Sequence, residues 1–282
     1  MNTPQISIEL DGVQETLLWP LYCRSVEAAR PDALLLDTRA VSVRESIDYP
    51  FAEKFGEPEI VFALRAACFD TAVRDFLDVH PRGTVVALGD GLETQFWRVD
   101  NGSVTWVSID LDESTALRRR LLPDGERNRS ISHSALDTAW FDQIDPSEGV
   151  FITAQGLFMY LDGADVLNLI RSCAERFPGA AMMFDAVPSW LTRKSKNGTW
   201  LSRVMMRGRD DESSYQLPAM TWGSAVDTIR RDILGFDHVV SAEIRAFPPG
   251  RGLIMSTVYP AAVTMPVVRN VCPSNLLVHF AP

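Results

Sequence analysis

Short apolar segments alternate with helical patterns between residues 84 and 187, and this alternation constrains the fold more than any other feature of the chain. The segments read TVVAL, VTWVSI, GVFITA and AAMMFDAV, and each is nearly continuously apolar. Strands that are buried on both faces of a parallel sheet have this composition. The helical patterns ESTALRRRLL and DGADVLNLIRSCAERF lie between them. The alternation predicts an α/β fold with right-handed crossovers.

The remaining segments complete the expected organisation. Additional strands are predicted at RSISHS, HVVSAEIRAF and NLLVHFA, and helices at about residues 58 to 79 and 223 to 234. We expect one domain over residues 1–282, which consists of a helical N-terminal cover (1–82), a cofactor-binding core (83–187), an insertion (188–222) and a C-terminal part that completes the sheet (223–282).

The insertion interrupts the strand-helix rhythm and is rich in aromatic residues. It contains Trp190, Trp200, Tyr215 and Trp222. We interpret it as a lid over a substrate pocket, and its methionines Met205 and Met206 suit a flat apolar substrate. A surface helical excursion whose aromatic residues serve packing explains the segment nearly as well.

The composition excludes several classes of partner. The chain has 282 residues, of which 46% are hydrophobic and 23% charged, and a net charge of −10. An acidic surface repels phosphates, so neither nucleic acid nor an anionic membrane is expected as a partner. The opening residues MNTPQISIELDG lack the features of a signal peptide, and no apolar run approaches the roughly 20 residues of a membrane span. We therefore expect a cytoplasmic protein with a small-molecule substrate. The oligomeric state stays open, a homodimer included.

The cysteine pattern indicates no metal site. Cys23, Cys68, Cys173 and Cys272 are widely scattered and form no C-x-x-C pair. This spacing is typical of free thiols in a reducing compartment.

A turn with two glycines follows the first apolar segment, in the order Leu88-Gly89-Asp90-Gly91. In open α/β sheets, ligands bind beyond the carboxyl ends of the strands. The two glycines would allow a sharp turn and close approach of a ligand to the main chain. Since Thr94 takes the place of the third glycine in the dinucleotide fingerprint, an ordinary strand-to-helix turn remains an alternative.

A carboxylate in the next strand makes a nucleoside ligand the better interpretation. Asp110 ends the second apolar segment, about 20 residues after Gly89, where an acid can accept hydrogen bonds from ribose hydroxyls. Asp90 and Glu93 in the turn would oppose a pyrophosphate, at a cost of roughly 1 kcal/mol or more for each close pair of charges. S-adenosylmethionine has no phosphate and carries a sulfonium cation. The acidic turn therefore favours S-adenosylmethionine over a dinucleotide.

Several stretches in a fixed order extend this interpretation to a family. They read RPDALLLDTRAVSVRESIDYPF, VVALGDGLETQFWRVDNG, WVSIDLDESTALRRRLL and AQGLFMYLDGADVLNLI, followed by FPGAAMMFD, and span most of residues 24 to 185. Together they resemble the leucine carboxyl methyltransferase family of class I S-adenosylmethionine-dependent methyltransferases, in its bacterial polyketide-type O-methyltransferase branch. The resemblance implies a Rossmann-like sheet that is mostly parallel with an antiparallel last strand. It also implies S-adenosylmethionine as cofactor, and methyl transfer to a carboxyl or hydroxyl group of a small aromatic or polyketide-like natural product.

The resemblance also assigns binding residues. It implies cofactor contacts at Arg24, Arg65, Gly89, Gly91, Asp110, Leu111, Asp137, Thr138 and Gln155. Arg65 corresponds to the arginine that pairs with the methionine carboxylate of the cofactor, and Asp137 to the acid that meets the adenine amino group. Taken alone, either residue fits an ordinary solvated charge. No catalytic residue is assigned, and His133 and Tyr160 are only candidate pocket groups.

The chain departs from the family pattern G-A-G-L-D-T-R at Asp90, Glu93 and Gln95, and from A-E-G at Gln155. The carboxylate lost at position 155 is offset by the one gained at position 90. The missing arginine at position 95 is expected to be uncompensated and to weaken cofactor binding. Because of these departures, one alternative stays open: a protein of the same fold that transfers no methyl group and has a cyclase-like or binding role. Methylation of a protein C-terminal carboxylate is disfavoured by the short insertion.

Overall fold

The structure, a computed structural model, describes residues 6–7, 13–196 and 218–282. The strands in these ranges are β1 (Ile6–Ser7), β2 (Ile47–Asp48), β3 (Thr84–Leu88), β4 (Thr105–Asp110), β5 (Asn128–Ser132), β6 (Val150–Ala154), β7 (Ala181–Ala186), β8 (Val239–Arg245) and β9 (Ser274–Phe280). The α-helices are α1 (Val13–Ala28), α2 (Thr38–Glu45), α3 (Phe51–Phe55), α4 (Ile60–Val79), α5 (Gln95–Val99), α6 (Asp112–Leu121), α7 (Gly163–Arg176), α8 (Ser189–Lys196), α9 (Val226–Leu234) and α10 (Tyr259–Thr264).

A seven-stranded sheet of order β5-β4-β3-β6-β7-β9-β8 forms the centre of the described fold. The strands from β3 to β7 pair in parallel, whereas β9 is antiparallel to both β7 and β8. This arrangement confirms the predicted Rossmann-like sheet with its antiparallel last strand. The chain moves outward from β3 to β5 and then returns to the other side of β3. The strand order therefore reverses between β3 and β6, which is where open α/β sheets bind ligands.

Apolar side chains on the two faces of the sheet build two cores. On one face, Val86 and Leu88 of β3 pack in a cluster with residues of α7 and α9, such as Ile170 and Ile229. On the other face, Val85 and Ala87 join residues of α4 and α10. Because successive strand residues point to opposite faces, a strand that is covered by helices on both sides must be apolar throughout. All five residues of β3 are buried.

The N-terminal helices form a third core against α6. Leu18, Leu21 and Tyr22 of α1 pack with residues of α2 and α3, with Leu117 and Leu121 of α6, and with Leu92 of the glycine turn. The predicted helix after Pro58 is present as α4. The parallel pair of β1 and β2 was not predicted, because two-residue strands leave no periodic signal.

The greater part of the predicted lid, residues 197–217 with Trp200, Met205, Met206 and Tyr215, lies outside the described residues.

The chain between β8 and β9 is largely helical, which the sequence patterns did not predict. The helical stretches there are Ile254–Val258, helix α10 and Val268–Val271. No helix in the ranges that the structure describes is long and apolar enough to cross a membrane.

Truncation of the first core provides a stability test of the packing. Ile170 on α7 is fully buried, so Ile170→Ala removes apolar contacts and leaves a cavity. We expect the free energy of unfolding to fall by about 2 to 5 kcal/mol, measured by urea denaturation. Glu175→Ala on the exposed face of the same helix is the control and should change it by less than about 0.5 kcal/mol. Equal losses in the two variants would contradict the packing described.

Candidate functional site

The carboxyl ends of the parallel strands bring most of the predicted binding residues to one edge of the sheet. Gly89 and Gly91 follow β3, Asp110 ends β4, and Gln155 follows β6. Asp137 and Thr138 lie in the segment after β5, where Asp137 accepts a hydrogen bond from Ala139 N at 3.0 Å. The edge thus combines residues that are far apart in the chain, at the point where the strand order reverses.

The turn after β3 requires its two glycines. Gly89 and Gly91 have φ angles of +61° and +45°, in a region that residues with a side chain rarely adopt. A Cβ on Gly89 would lie 2.8 Å from Leu157 Cδ1, and one on Gly91 would lie 2.7 Å from Leu17 Cδ2. The backbone conformation therefore disfavours any residue with a side chain at either position, and a larger residue would also have to displace the ends of these leucine side chains.

Asp110 is fixed beside this turn. Its Oδ2 atom accepts a hydrogen bond from Gly91 N and its Oδ1 atom one from Leu111 N, both at 2.8 Å. Burial raises the pKa of Asp110, which the two backbone donors partly offset. Each carboxylate oxygen has a second lone pair, so Asp110 retains the capacity to accept from two hydroxyl groups. Leu111 beside it is 57% exposed and offers an apolar surface at the same edge.

Asp90 belongs to the interior of the protein. Its Oδ2 atom pairs with Arg118 Nη2 at 2.9 Å and also accepts from the Ser108 hydroxyl. Arg118, on α6, donates through Nη1 to the carbonyl oxygens of Gly91 and Glu93, both at 2.8 Å. Burial raises the pKa of Asp90, and the ion pair with Arg118 is the main opposing effect. Arg118 therefore fixes the turn through one ion pair and two carbonyl contacts.

Glu93 is also buried and paired. Its Oε1 atom lies 2.7 Å from Arg98 Nη1, and its Oε2 atom lies 2.9 Å from Arg24 Nη1. These two guanidinium groups outweigh the effect of burial and lower the pKa of Glu93 to about 2. Arg98 and Arg24 thus supply the cations that pair with Glu93, and the expected weakening of cofactor binding by the missing arginine at position 95 stays a prediction.

The buried pairs correct the electrostatic argument drawn from the sequence. Asp90 and Glu93 are each 8% exposed and neutralised by arginines. Their charges are not available to repel a phosphate or to attract a sulfonium. The acids hold the turn in place, and the choice of cofactor rests on other observations.

Arg24 has protein partners at all three guanidinium nitrogens. Besides the pair with Glu93, its Nη2 atom donates to Leu92 O at 2.9 Å and its Nε atom lies 3.4 Å from Asp37 Oδ2. Asp37 in turn pairs with Arg98 at 2.7 Å and caps α2 through Ala40 N. In this structure Arg24 connects α1 to the turn, and its direct contact with a cofactor stays a prediction.

A second ion pair joins α4 to the strand ends. Arg65 Nη1 lies 2.8 Å from Asp185 Oδ2, and Asp185 Oδ1 accepts from Gly156 N at 2.7 Å. Asp185 was not among the residues predicted from the sequence. A signal existed, because an aspartate inside the apolar run AMMFDAV must have a partner when it is buried.

Among the buried polar atoms that have no hydrogen-bond partner, two belong to residues predicted to bind the cofactor. They are Gln155 Oε1, an acceptor, and Arg65 Nε, a donor. Unpaired buried groups of this kind cost free energy unless a ligand satisfies them. An α-amino acid head group has an ammonium donor and a carboxylate acceptor, which complement the two atoms. Together with the glycine turn and Asp110, the residues therefore fit S-adenosylmethionine.

The reversed strand order, the glycine turn and the acid at the end of β4 define a Rossmann-like site of the class I methyltransferase type. The chain is 33% identical over 193 residues to the tetracenomycin polyketide synthesis O-methyltransferase TcmP of Streptomyces glaucescens, a match that covers 67% of this chain and 72% of that protein. The chain belongs to the same family of polyketide-type O-methyltransferases. It is thus a methyltransferase with S-adenosylmethionine as its cofactor.

Other comparisons are more distant. The S-adenosyl-L-methionine-dependent methyltransferase dpfgK of Gibberella zeae is 24% identical over 191 residues, which cover 60% of this chain and 63% of that protein. The solved structure of an O-methyltransferase family protein from Burkholderia thailandensis aligns with 95% of this chain and 70% of its own, at 15% identity and a TM-score of 0.45. No protein-family profile matches the chain.

Removal of Arg118 tests the role of the buried pair with Asp90. Arg118→Met leaves a buried carboxylate without its cation, and we expect the free energy of unfolding to fall by about 3 to 5 kcal/mol. Arg120→Met, an exposed change on the same helix, is the control and should shift it by less than about 0.5 kcal/mol. Denaturant unfolding measures both. If the two variants were equally stable, the pair would not hold the turn.

Glu93 makes stability depend on pH in a defined direction. Since folding lowers its pKa from 4.5 to about 2, Glu93 stabilises the fold fully above pH 4.5, and this contribution is lost as the pH falls towards 2. At neutral pH we expect Glu93→Gln to be less stable than the wild type by about 3 kcal/mol. The difference should shrink as the pH is lowered from about 5 to about 3, measured by urea unfolding at each pH. The exposed Glu175→Gln is the control, and its free energy of unfolding should equal that of the wild type at every pH. A loss of stability in Glu93→Gln that did not change with pH would contradict the lowered pKa of Glu93.

Proposed function

We propose that this chain transfers a methyl group from S-adenosylmethionine to a hydroxyl oxygen of a small aromatic, polyketide-like compound. An apolar cluster after β6 and β7 is the observation that supports an aromatic acceptor. We call it the acceptor cluster, and it comprises Met159, Tyr160, Val187, Trp190, Leu191 and Met220. Tyr160, Trp190 and Met220 are the partly buried members of this cluster, and apolar and aromatic side chains with a few polar groups typically line small-molecule sites.

The charges beside the acceptor cluster favour a hydroxyl over a carboxyl acceptor. Arg65 and Asp185 are the charged groups that act on the pKa of Tyr160, and they pair with each other at 2.8 Å. A substrate carboxylate would have to compete for Arg65 with Asp185, which pairs with Nη1, and with the cofactor carboxylate, to which the unpaired Nε atom is assigned. A neutral phenol makes no such demand and suits the aromatic surroundings.

Tyr160 is suited to orient the acceptor by hydrogen bonding. Burial raises its pKa above the ordinary value of 10.0, so it stays protonated at neutral pH and cannot serve as a base. Its hydroxyl can still donate to, or accept from, a phenol. His133 pairs instead with Asp137, at 3.2 Å, after β5. We assign neither residue as a general base.

The proposed cofactor contacts follow the edge of the sheet. The turn at Gly89 and Gly91 would approach the cofactor through its backbone, and Asp110 would accept from the ribose hydroxyls. Leu111, Asp137 and Thr138 would surround the adenine, and Arg65 and Gln155 the methionine part. Arg24 would act through its ion pair with Glu93.

When bound, S-adenosylmethionine supplies a methyl group that is already activated on a sulfonium. The chain then has to align the acceptor oxygen with that methyl group and to exclude competing water. The C–O bond would form as the C–S bond breaks, S-adenosylhomocysteine would leave, and the hydroxyl proton would be released to solvent. Leu157 and Leu17 lie against the two glycines. We infer that their flexible side chains turn aside when the cofactor enters, because the backbone of the turn is held by Arg118.

Calorimetry with S-adenosylmethionine and S-adenosylhomocysteine tests the proposed cofactor contacts. We expect the wild type to bind both, and Asp110→Ala to bind S-adenosylhomocysteine at least about tenfold more weakly, because hydrogen bonds to a charged group are lost. Glu126→Ala, an exposed carboxylate just before β5 at the opposite edge of the sheet, is the control and should leave the affinity unchanged. If Asp110→Ala bound as tightly as the control, the ribose contact would be refuted.

The acceptor class is tested with a panel of polycyclic phenols and matched aromatic carboxylic acids. We expect methylation of phenols, measured as S-adenosylhomocysteine formed, and little turnover of the carboxylic acids. Preferential ester formation would overturn the hydroxyl assignment. Binding of the cofactor without methylation of either class would favour the role without methyl transfer.

A further inference from the structure

The nitrogen and the oxygen of the Gln155 side-chain amide differ in their hydrogen bonding. The Nε2 atom donates to Glu93 Oε2 at 2.9 Å, whereas the buried Oε1 atom has no partner. A buried amide oxygen without a donor is costly. Gln155 is thus held at one end and has an unused acceptor at the other.

The chemistry of Glu93 determines which way the amide faces. An ionised carboxylate can only accept hydrogen bonds, so it must face the amide nitrogen and not the amide oxygen. Arg24 and Arg98 keep Glu93 ionised by pairing at 2.9 Å and 2.7 Å. The orientation of Gln155 therefore follows from electrostatics, although oxygen and nitrogen of an amide are otherwise easily interchanged.

The carboxylate of Glu93 is itself rigidly held. Its Oε1 atom accepts from Thr94 N at 2.9 Å as well as from Arg98. Its Oε2 atom receives both Arg24 and Gln155. Two arginines and one backbone amide thus fix the group that fixes Gln155.

The unused donor of Arg65 belongs to a side chain that packs against the residue after Gln155. Gly156, the next residue in the chain, packs against Arg65, since a Cβ there would lie 3.1 Å from Arg65 Nη1. The Nε atom of Arg65 is buried without a partner. An acceptor and a donor in this arrangement match the ammonium and the carboxylate of an α-amino acid.

We propose that Glu93 is a positioning residue that turns the amide of Gln155 so that Oε1 receives the α-ammonium group of the cofactor. A glutamate at position 155 would bring a second acceptor-only carboxylate against Glu93. Glutamine at 155 is therefore the partner that the longer acid at 93 requires. This inference rests on the same cofactor as the proposed function, and it goes further by giving Glu93 a role in recognising the ammonium group.

The test compares S-adenosylhomocysteine with its deaminated analogue, which lacks only the ammonium group, by calorimetry. The ratio of the two affinities measures recognition of that group in each variant. In the wild type we expect a preference of at least about tenfold for S-adenosylhomocysteine. Gln155→Leu should reduce that preference several-fold through weaker binding of S-adenosylhomocysteine, with the affinity for the analogue nearly unchanged.

Glu93→Asp isolates the positioning role. It retains the charge that pairs with Arg24 and Arg98 but withdraws the carboxylate from Gln155 by one methylene. We expect it to lose most of the preference for the ammonium group while it keeps the affinity for the analogue. Gln143→Leu, an exposed glutamine elsewhere, is the control and should retain the full preference.

The outcomes separate this inference from the proposed function. If the wild type bound neither ligand, the proposed function and the role of Glu93 would both be overturned. If the wild type showed the preference and Glu93→Asp kept it, only the positioning role would be overturned. Equal weakening of both ligands in Gln155→Leu would also overturn it, because the residue would then act on the shape of the site in general.

Discussion

The ion cluster around the Glu93 carboxylate is the interaction on which the site depends. Four groups converge on its two oxygens: Arg24 from α1, Arg98 from α5, the amide of Thr94, and Gln155 after β6. Desolvation makes buried ion pairs weak contributors to net stability. Their value here is geometric, since a charge that is left without its partner in the interior is strongly unfavourable. The cluster therefore allows only one relation between the N-terminal helices, the glycine turn and the end of β6.

The same principle explains the acidic turn. In a solvated loop, Asp90 and Glu93 would project their charges towards a ligand. In the folded chain each is paired with arginine, and Arg118 also binds two carbonyl oxygens of the turn. The proposed ligand edge thus consists of glycine backbone, of Asp110 and of the few polar atoms that the protein leaves unsatisfied. Buried ion pairs that do not face the ligand thus hold the backbone of such a site in place.

Sequence patterns predicted the sheet well because its strands are covered on both faces. A continuous apolar run such as TVVAL, in alternation with helical patterns, is typical of a strand covered on both faces. The same logic failed between β8 and β9, where Leu253, Ile254 and Val267 are exposed and the helical turns are short. It also missed β1 and β2, which are too short to show a period. The resemblance assigned Gly89, Asp110 and Gln155 to the cofactor, and the structure places them at the ends of the neighbouring strands β3, β4 and β6.

The sequence by itself determined the parallel sheet, the glycine turn at its centre, the acid at the end of β4 and, through ordered motifs, the family and its cofactor. Only the tertiary structure decided which arginine neutralises which acid. Arg24 and the turn are separated by 68 residues at their contact with Leu92, and Gln155 and Glu93 by 62. Local propensity and periodicity describe near neighbours in the chain, whereas an ion pair depends on the distance between atoms after helices α1, α5 and α6 have packed on the sheet. For that reason the acids of the turn read as ligand-facing in the sequence and are internal in the fold.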